Sequence, residues 1–207
     1  MLGGAGTEPD TMALDVRLAG ARATDLAALA YRSGIAIPLR SGRVTLEAAL
    51  FWHKFNLFHW PRNVTAVMKI TGVDLTVANL DFAKVASVLR AATRYPNPVS
   101  PIVAGMELRR ALSSGQTIFR SGSFDISLVD GKAAIQKGEL LGQNGMLKFT
   151  GTMTQDKIAL ESTARPTDTI KVSLPSIPLH IVGTASDPHW IPDLSSVMHW
   201  IREQTHK

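Results

Sequence analysis

Histidine is the residue type here best suited to chemistry, and the spacing of its copies argues against it. His53 and His59 lie six residues apart, and His189 and His199 ten apart. Two imidazoles that hold a metal from one helical face sit at i and i+4, and no acidic residue accompanies these pairs in a ligand pattern. Their neighbours Trp52, Trp60, Trp190 and Trp200 fit surface or interfacial histidines instead. Serine fares no better. There is no Gly-x-Ser-x-Gly, and Ser121-Gly122-Ser123 opens a strand where a nucleophile elbow needs a strand-to-helix turn. Gly3-Gly4-Ala5-Gly6 has no preceding strand and no following Lys-Ser or Lys-Thr, so it reads as a flexible end and not as a phosphate loop. Asp125, Asp130, Asp156 and Asp187 fall at turns or on polar strand faces. Glycosidase carboxylates come from distant strands, so a hydrolase with distributed acids stays open as a third reading with no motif behind it. The expectation is a protein that is not an enzyme, with no catalytic residue, no metal ligand and no cofactor.

Composition narrows the alternatives. The 207 residues are 45% hydrophobic and 19% charged, enough for one substantial core and against disorder away from the ends. The net charge is +5, with no run of more than two basic residues, so nucleic acid is not an expected partner. Anionic lipid headgroups would suit the mild positive balance, though charge alone does not select them. Cysteine is absent, which removes disulfides and thiolate chemistry and leaves the compartment open. Met1 to Asp10 has no basic or apolar region of a signal peptide, and no window approaches the ~20 apolar residues of a membrane-spanning helix. A membrane anchor, if used, is expected outside these residues.

Elements that could position side chains are mostly strands. Leu14, Val16 and Leu18 alternate with polar residues up to Gly20, and Thr24 or Asp25 caps a short helix carrying Leu26, Leu29 and Ala30 that stops near Ser33-Gly34. Pro38 and Ser41-Gly42 mark a turn. Val44, Leu46, Ala48 and Leu50 make a second strand, and Val64, Ala66, Met68 and Ile70 a third. Beyond Gly72 the apolar set Val73, Leu75 and Val77 shifts phase, as a hairpin or bulge would produce. Phe82, Val85, Ala86, Leu89 and Ala92 have helical spacing behind the N-cap Asp81. A proline-rich loop over 95–101 leads to a second helix over Ile102 to Leu112. From Gln116 a hairpin ladder begins: Phe124, Ile126 and Leu128, a turn at Asp130-Gly131, another at Asn144-Gly145, then Met146, Leu147 and Phe149. Gln155-Asp156-Lys157 turns into Ile158, Leu160 and Ser162. The last strand, Ile177 to Thr184, ends in Ser186-Asp187-Pro188, and Leu194, Val197, Met198 and Ile201 share one face of a terminal helix.

The fold class expected is mainly β (α+β): a long curved antiparallel sheet, or β-groove of hairpins, with a few short helices. Its organisation divides into a flexible end over 1–10, an N-terminal β portion with one short helix over 11–80, a helical insertion over 81–115, a β-hairpin ladder over 116–191 and a C-terminal helix over 192–207. Phe51 to Trp60 stands apart as an aromatic segment. Trp52, Phe55, Phe58 and Trp60 are interface candidates for lipid, membrane or a neighbouring protein, against core packing or a covered sheet edge.

The C-terminal third resembles the AsmA family of Gram-negative envelope proteins, in its AsmA-like C-terminal region. The residues that carry this are Phe124-Asp125-Ile126-Ser127-Leu128, the step Gly138-Glu139-Leu140-Leu141, and the string Gly145 to Thr152. The closest agreement is Pro178 to Pro188, which follows the family's Pro-apolar-x-apolar-x-Gly-Thr-x-x-Asp-Pro ending. Leu14 to Gly20, the helix at Asp25, Ser41 to Leu46 and Ile70 to Leu75 are similar to the family's earlier steps more loosely.

That resemblance implies a periplasmic domain attached to the inner membrane through a segment absent from this chain. It implies a part in phospholipid handling or outer-membrane assembly, with phospholipid or a membrane surface as partner, and an envelope protein as a further partner. Larger members resemble bridge-type lipid transfer proteins, whose apolar β-groove carries acyl chains. A sheet with one apolar and one polar face is compatible with such a trough. The inward set would be Leu14, Val16, Leu18, Val44, Leu46, Val64, Met68, Phe124, Ile126, Leu128, Leu147, Phe149, Ile158, Leu160, Ile177, Leu179 and Ile181. The same alternation serves a closed core, with the two middle helices covering that face. The alternative function is therefore a structural or protein-interaction module without bound lipid.

Overall fold

Side chains that alternate between apolar and polar with a period of two suit a strand that turns one face to a core, and the described residues form nine strands. The computed structural model describes residues 11–32, 35–53, 64–93, 97–154, 156–167 and 174–205. In chain order the elements are β1 (Thr11–Arg22), α1 (Ala23–Arg32), β2 (Leu39–His53), β3 (Val64–Ala78), α2 (Phe82–Ala92), α3 (Pro101–Ala111), β4 (Gln116–Val129), β5 (Lys132–Gly142), β6 (Gly145–Met153), β7 (Ile158–Pro166), β8 (Ile177–Thr184), β9 (Asp187–Pro192) and α4 (Ser195–Thr205). All nine strands form one open antiparallel meander in sequence order, β1 to β9. The β portions on either side of the helical insertion are thus one sheet, joined by β3 and β4.

Three places depart from the sequence reading, each because of a contact with another segment. Ser41-Gly42, expected to turn the chain, lies inside β2 as an irregularity in the pairing with β3. Gly42 takes a φ of +121°, and a Cβ there would meet the Asp74 carbonyl oxygen at 2.8 Å. Asn144-Gly145 is offset by one. The turn falls on Gln143 and Asn144, with Gly142 opposite Gly145 as the first pair of the ladder. Gly145 is kept small because Phe82 packs on it, 2.5 Å from where a Cβ would stand. Finally, β8 is not the last strand. Asp187–Pro192 pairs with it as β9, and Pro188 and Pro192 are tolerated because this strand has one free edge. The phase shift is a bulge at Asp74: Leu75 and Val77 are buried in the new phase, but Val73, expected with them, precedes the bulge and is 51% exposed on the other face. Asp74 sits at a φ of +52°, and the Leu75 side chain folds back over Gly72.

The sheet curls toward its apolar face. Phe149 on β6 and Trp190 on β9 stand with ring centroids 6.2 Å apart, edge to face. In a flat sheet three strand spacings would separate them by about 14 Å. Accumulated right-handed twist gives such a curl. The backbone N–H of Ala36, beyond α1, donates to the Ala185 carbonyl at 2.7 Å, tying the β1–β2 side to the β8–β9 turn.

Three helices fill one half of the concavity. α2 lies against β4 and β7, and α3 and α4 pack on α2. The residues Phe82, Val85, Ala86, Leu89 and Ala92 on α2 are all buried, as the i, i+3, i+4 pattern demands. Asp81 Oδ1 accepts from the Lys84 N–H at 2.8 Å, the expected cap. Thr117 at the start of β4 fastens the helix to the sheet: its hydroxyl donates to the Leu80 carbonyl at 2.6 Å and accepts from the Phe82 N–H at 3.0 Å. At α4, the Ser195 side chain and then the Ser195 N–H, which donates to Asp193 Oδ1 at 2.9 Å, hold the exposed Asp193 carboxyl below its ordinary pKa.

Candidate functional site

Residues directly opposite in an antiparallel ladder share a face, so the register assigns every side chain. Leu14 faces Leu50, which faces Ala66, Leu128, Ala133, Met153, Ile158 and Gly183 in turn. The next row runs Val16, Ala48, Met68, Ile126, Ile135, and from Gly151 through Leu160 and Ile181 to Trp190. A third runs Leu18, Leu46, Ile70, Phe124, Gly138, Phe149, Ser162, Leu179 and Pro192. Val44, Leu147 and Ile177 lie in a fourth row, closer to the helices. Every residue of the inward set named from the sequence therefore stands on one continuous face.

That face has two environments. Val44, Leu147, Phe149, Ile177, Leu179 and Ile181 are buried with Phe82, Leu89 and Phe119 in the main core; Ile158 joins them, and Val64 is buried at the other end of β3. They serve as packing and not as an open lining. Leu46, Met68, Phe124, Ile126, Leu128 and Leu160 are half-buried. On β1, Leu14, Val16 and Leu18 are 49%, 37% and 41% exposed, although their register places them on the apolar face. Phe124 and Phe149 stack at 5.9 Å where one environment passes into the other. A Cβ on Gly138 beneath them would stand 2.8 Å from the Phe124 ring. Trp52 is half-buried on the same face, opposite Met12 and Val64. Phe55, Phe58 and Trp60, the other interface candidates, lie outside the described residues.

The opposite face carries a row of charge, beside exposed apolar residues that include Phe51, Val67, Val73, Val129, Val182 and Ile191. Arg17, Glu47, Lys69, Asp125 and Lys137 face one another in succession across β1 to β5, so that sign alternates at each strand. Arg17 Nε and Glu47 Oε1 are 3.5 Å apart, and in the adjoining row Lys148 Nζ and Glu139 Oε1 are 3.6 Å apart. Each exposed pair contributes little, but opposite charges favour this register and repel a slipped one. Sequence reading did not find this row, because it exists only once the strands are aligned.

His189 lies 3.3 Å from Asp187 on β9, whose backbone N–H donates to the Thr184 hydroxyl, itself 3.1 Å from the Ser186 hydroxyl; His199 lies 3.1 Å from Glu203 on α4, and all of these groups are exposed. No group of three or more His, Cys, Asp or Glu stands close enough to hold a metal ion among the described residues, and none of their helices is long and apolar enough to cross a membrane. A buried hydroxyl intrudes on the apolar face: Ser162 is 5% exposed, and its hydroxyl has no hydrogen-bond partner among the described residues. Ser162→Ala is expected to leave stability unchanged or raise it by about 1 kcal/mol, since an unsatisfied buried hydroxyl carries its desolvation penalty. Urea denaturation measures this; a loss of more than that amount would show that the hydroxyl has a partner in solution.

No protein-family model, no curated protein and no solved structure matches this chain.

Proposed function

We propose that this domain holds the acyl chains of a phospholipid in the open half of its trough, as a non-enzymatic part of an AsmA-like envelope protein in the periplasm. The observation that carries this reading is the row of Leu14, Val16 and Leu18. These side chains lie on the apolar face, yet are 37–49% exposed, and they border the half-buried Leu46, Ala48, Leu50, Met68, Ile70 and Ile126. β1 is an edge of the sheet and is exposed over residues 12–20, so its apolar row is accessible to hydrocarbon. Burying hydrocarbon there gains about 0.8 kcal/mol per methylene, so part of one acyl chain suffices for binding. Alternating charges interrupt the apolar side chains of the other face, whereas the concave rows hold none. The sequence strings that resemble the AsmA family, Phe124 to Leu128 and Pro178 to Pro188, build β4 and β8–β9, which form parts of this same trough.

A second reading has its own observation. Phe82, Val85 and Leu89 of α2 already fill the half of the trough beneath the helices, as a structural or protein-interaction module would require. The two differ in one measurement. Native mass spectrometry with lipid extraction, on protein expressed in a Gram-negative host, is expected to show near-stoichiometric phospholipid. A lipid-free protein of stable fold would overturn the cargo reading and leave the interaction module.

A further inference from the structure

α3 is apolar on two opposite sides, and only one of them is used. Ala104, Leu108 and Ala111 point inward and are fully buried. Gly105 faces α4, where an added Cβ would be 3.5 Å from Met198 Sδ. On the other side Ile102 is 76% exposed, Met106 64% and Val103 49%. At 100° per residue these three fall within one stripe, roughly opposite Ala104 and Leu108, and Arg109 and Arg110 continue it one turn later. Ile and Val are poor choices for a solvated helix face, where straight-chain residues fit better.

Charge on this side is cationic. Lys84 Nζ and Arg110 Nη1 share the single carboxylate of Glu107, at 3.6 and 3.2 Å. Arg109 is exposed beside them. Aliphatic side chains followed one turn later by arginine match the two layers of an anionic bilayer surface: acyl-chain boundary beneath, phosphates above. Each cation near such a surface adds about 1 kcal/mol. A protein partner fits less well. Three side chains on one convex helix fall far short of the ~800 Å² per partner that a stable protein interface buries, whereas an interfacial helix needs only to enter the headgroup boundary by ~5–10 Å.

We propose that the outward face of α3, through Ile102, Val103 and Met106 with Arg109 and Arg110, docks this domain on an anionic phospholipid bilayer. The contact is separate from the trough and does not require lipid cargo. Because the chain has no cysteine, a single engineered thiol reports its own site. The test is co-sedimentation of the whole chain with phosphatidylglycerol-containing vesicles and with pure phosphatidylcholine vesicles, at low and high salt. Expected is binding to the anionic vesicles that salt weakens, lost at least tenfold in Ile102→Asp/Met106→Asp and several-fold in Arg109→Glu, with thermal unfolding unchanged. An environment-sensitive dye on Ile102→Cys should shift to the blue on the anionic vesicles, and one on Thr71→Cys, on the charge-bearing sheet face, should not. Wild-type binding by the double aspartate variant, or a dye at position 102 that does not respond, would overturn the proposal. So would sedimentation showing that the aspartates dissolve a dimer while the wild type ignores vesicles. Lipid co-purifying from the trough is read independently, so either result leaves the cargo reading to its own measurement.

Discussion

Phe149→Asp is expected to prevent stable folding, while Ile126→Asp yields a folded protein that has lost its lipid. Both residues sit on the concave face, in adjacent rows and two strands apart. Phe149 is 8% exposed and wedged between the rings of Phe124 and Trp190. A carboxylate there would face Gly138 and Ser162 across the ladder, neither of them a cation, and removing the ring also leaves a cavity. Either effect alone costs several kcal/mol, a large part of the about 5–15 kcal/mol by which domains are stable. Ile126 is only half-buried, between Met68 and Ile135. A carboxylate at that position keeps access to water, so the fold survives, but hydrocarbon would have to be laid against a charge. Circular dichroism with urea denaturation reads the first outcome, and lipid extraction from the purified variant reads the second. A folded Ile126→Asp protein that still carries lipid would remove this position from the trough.

The second large effect concerns how the helices are locked to the sheet. Phe82→Ala is expected to lower stability by about 3–5 kcal/mol, the range for a fully buried phenylalanine. Its ring meets Phe119 of β4 edge to face at 5.8 Å and lies on Gly145 of β6, so one side chain joins α2 to two strands. Gly145→Ala attacks the same contact from below. An added Cβ would stand 2.5 Å from the Phe82 ring and 2.7 Å from the Arg165 carbonyl oxygen, at a φ of +156°. The two losses should therefore be non-additive: with the ring gone, part of the methyl clash disappears, though the clash with the Arg165 backbone stays. A double-mutant cycle by chemical denaturation measures the coupling, expected at about 1 kcal/mol or more for groups in contact. Strict additivity would mean that Phe82 and Gly145 do not touch in solution.

Much of the fold was legible because a strand's alternation is a local property. Leu14-Asp15-Val16, Val44-Thr45-Leu46 and Phe124-Asp125-Ile126 declare their faces without reference to any partner. Asp81 with the Phe82, Val85, Leu89 spacing declares α2 in the same way. Misreadings arose where a residue's reason was distant. Gly145 resembles half of an Asn-Gly turn, yet its smallness answers to Phe82, more than sixty residues earlier in the chain. Ser41-Gly42 has the composition of a turn and serves as a bulge against Asp74 and Leu75. Pro188 and Pro192 hid β9, because proline is incompatible with a central strand but not with an edge whose missing donors face away.

The sequence by itself determined which residues share the apolar face, which segments are helices, and that no thiol chemistry is available. Those properties follow from residue type and from periods of 2 and 3.6 along the chain. Tertiary structure alone decided that α2, α3 and α4 occupy one half of the concavity and leave Leu14, Val16 and Leu18 at an open margin. It alone aligned Arg17, Glu47, Lys69, Asp125 and Lys137 into a row of alternating charge. Both depend on pairings between residues far apart in sequence. The register across five strands and the seat of Phe82 on Gly145 are set by side-chain volumes and charges that meet only after the chain has folded.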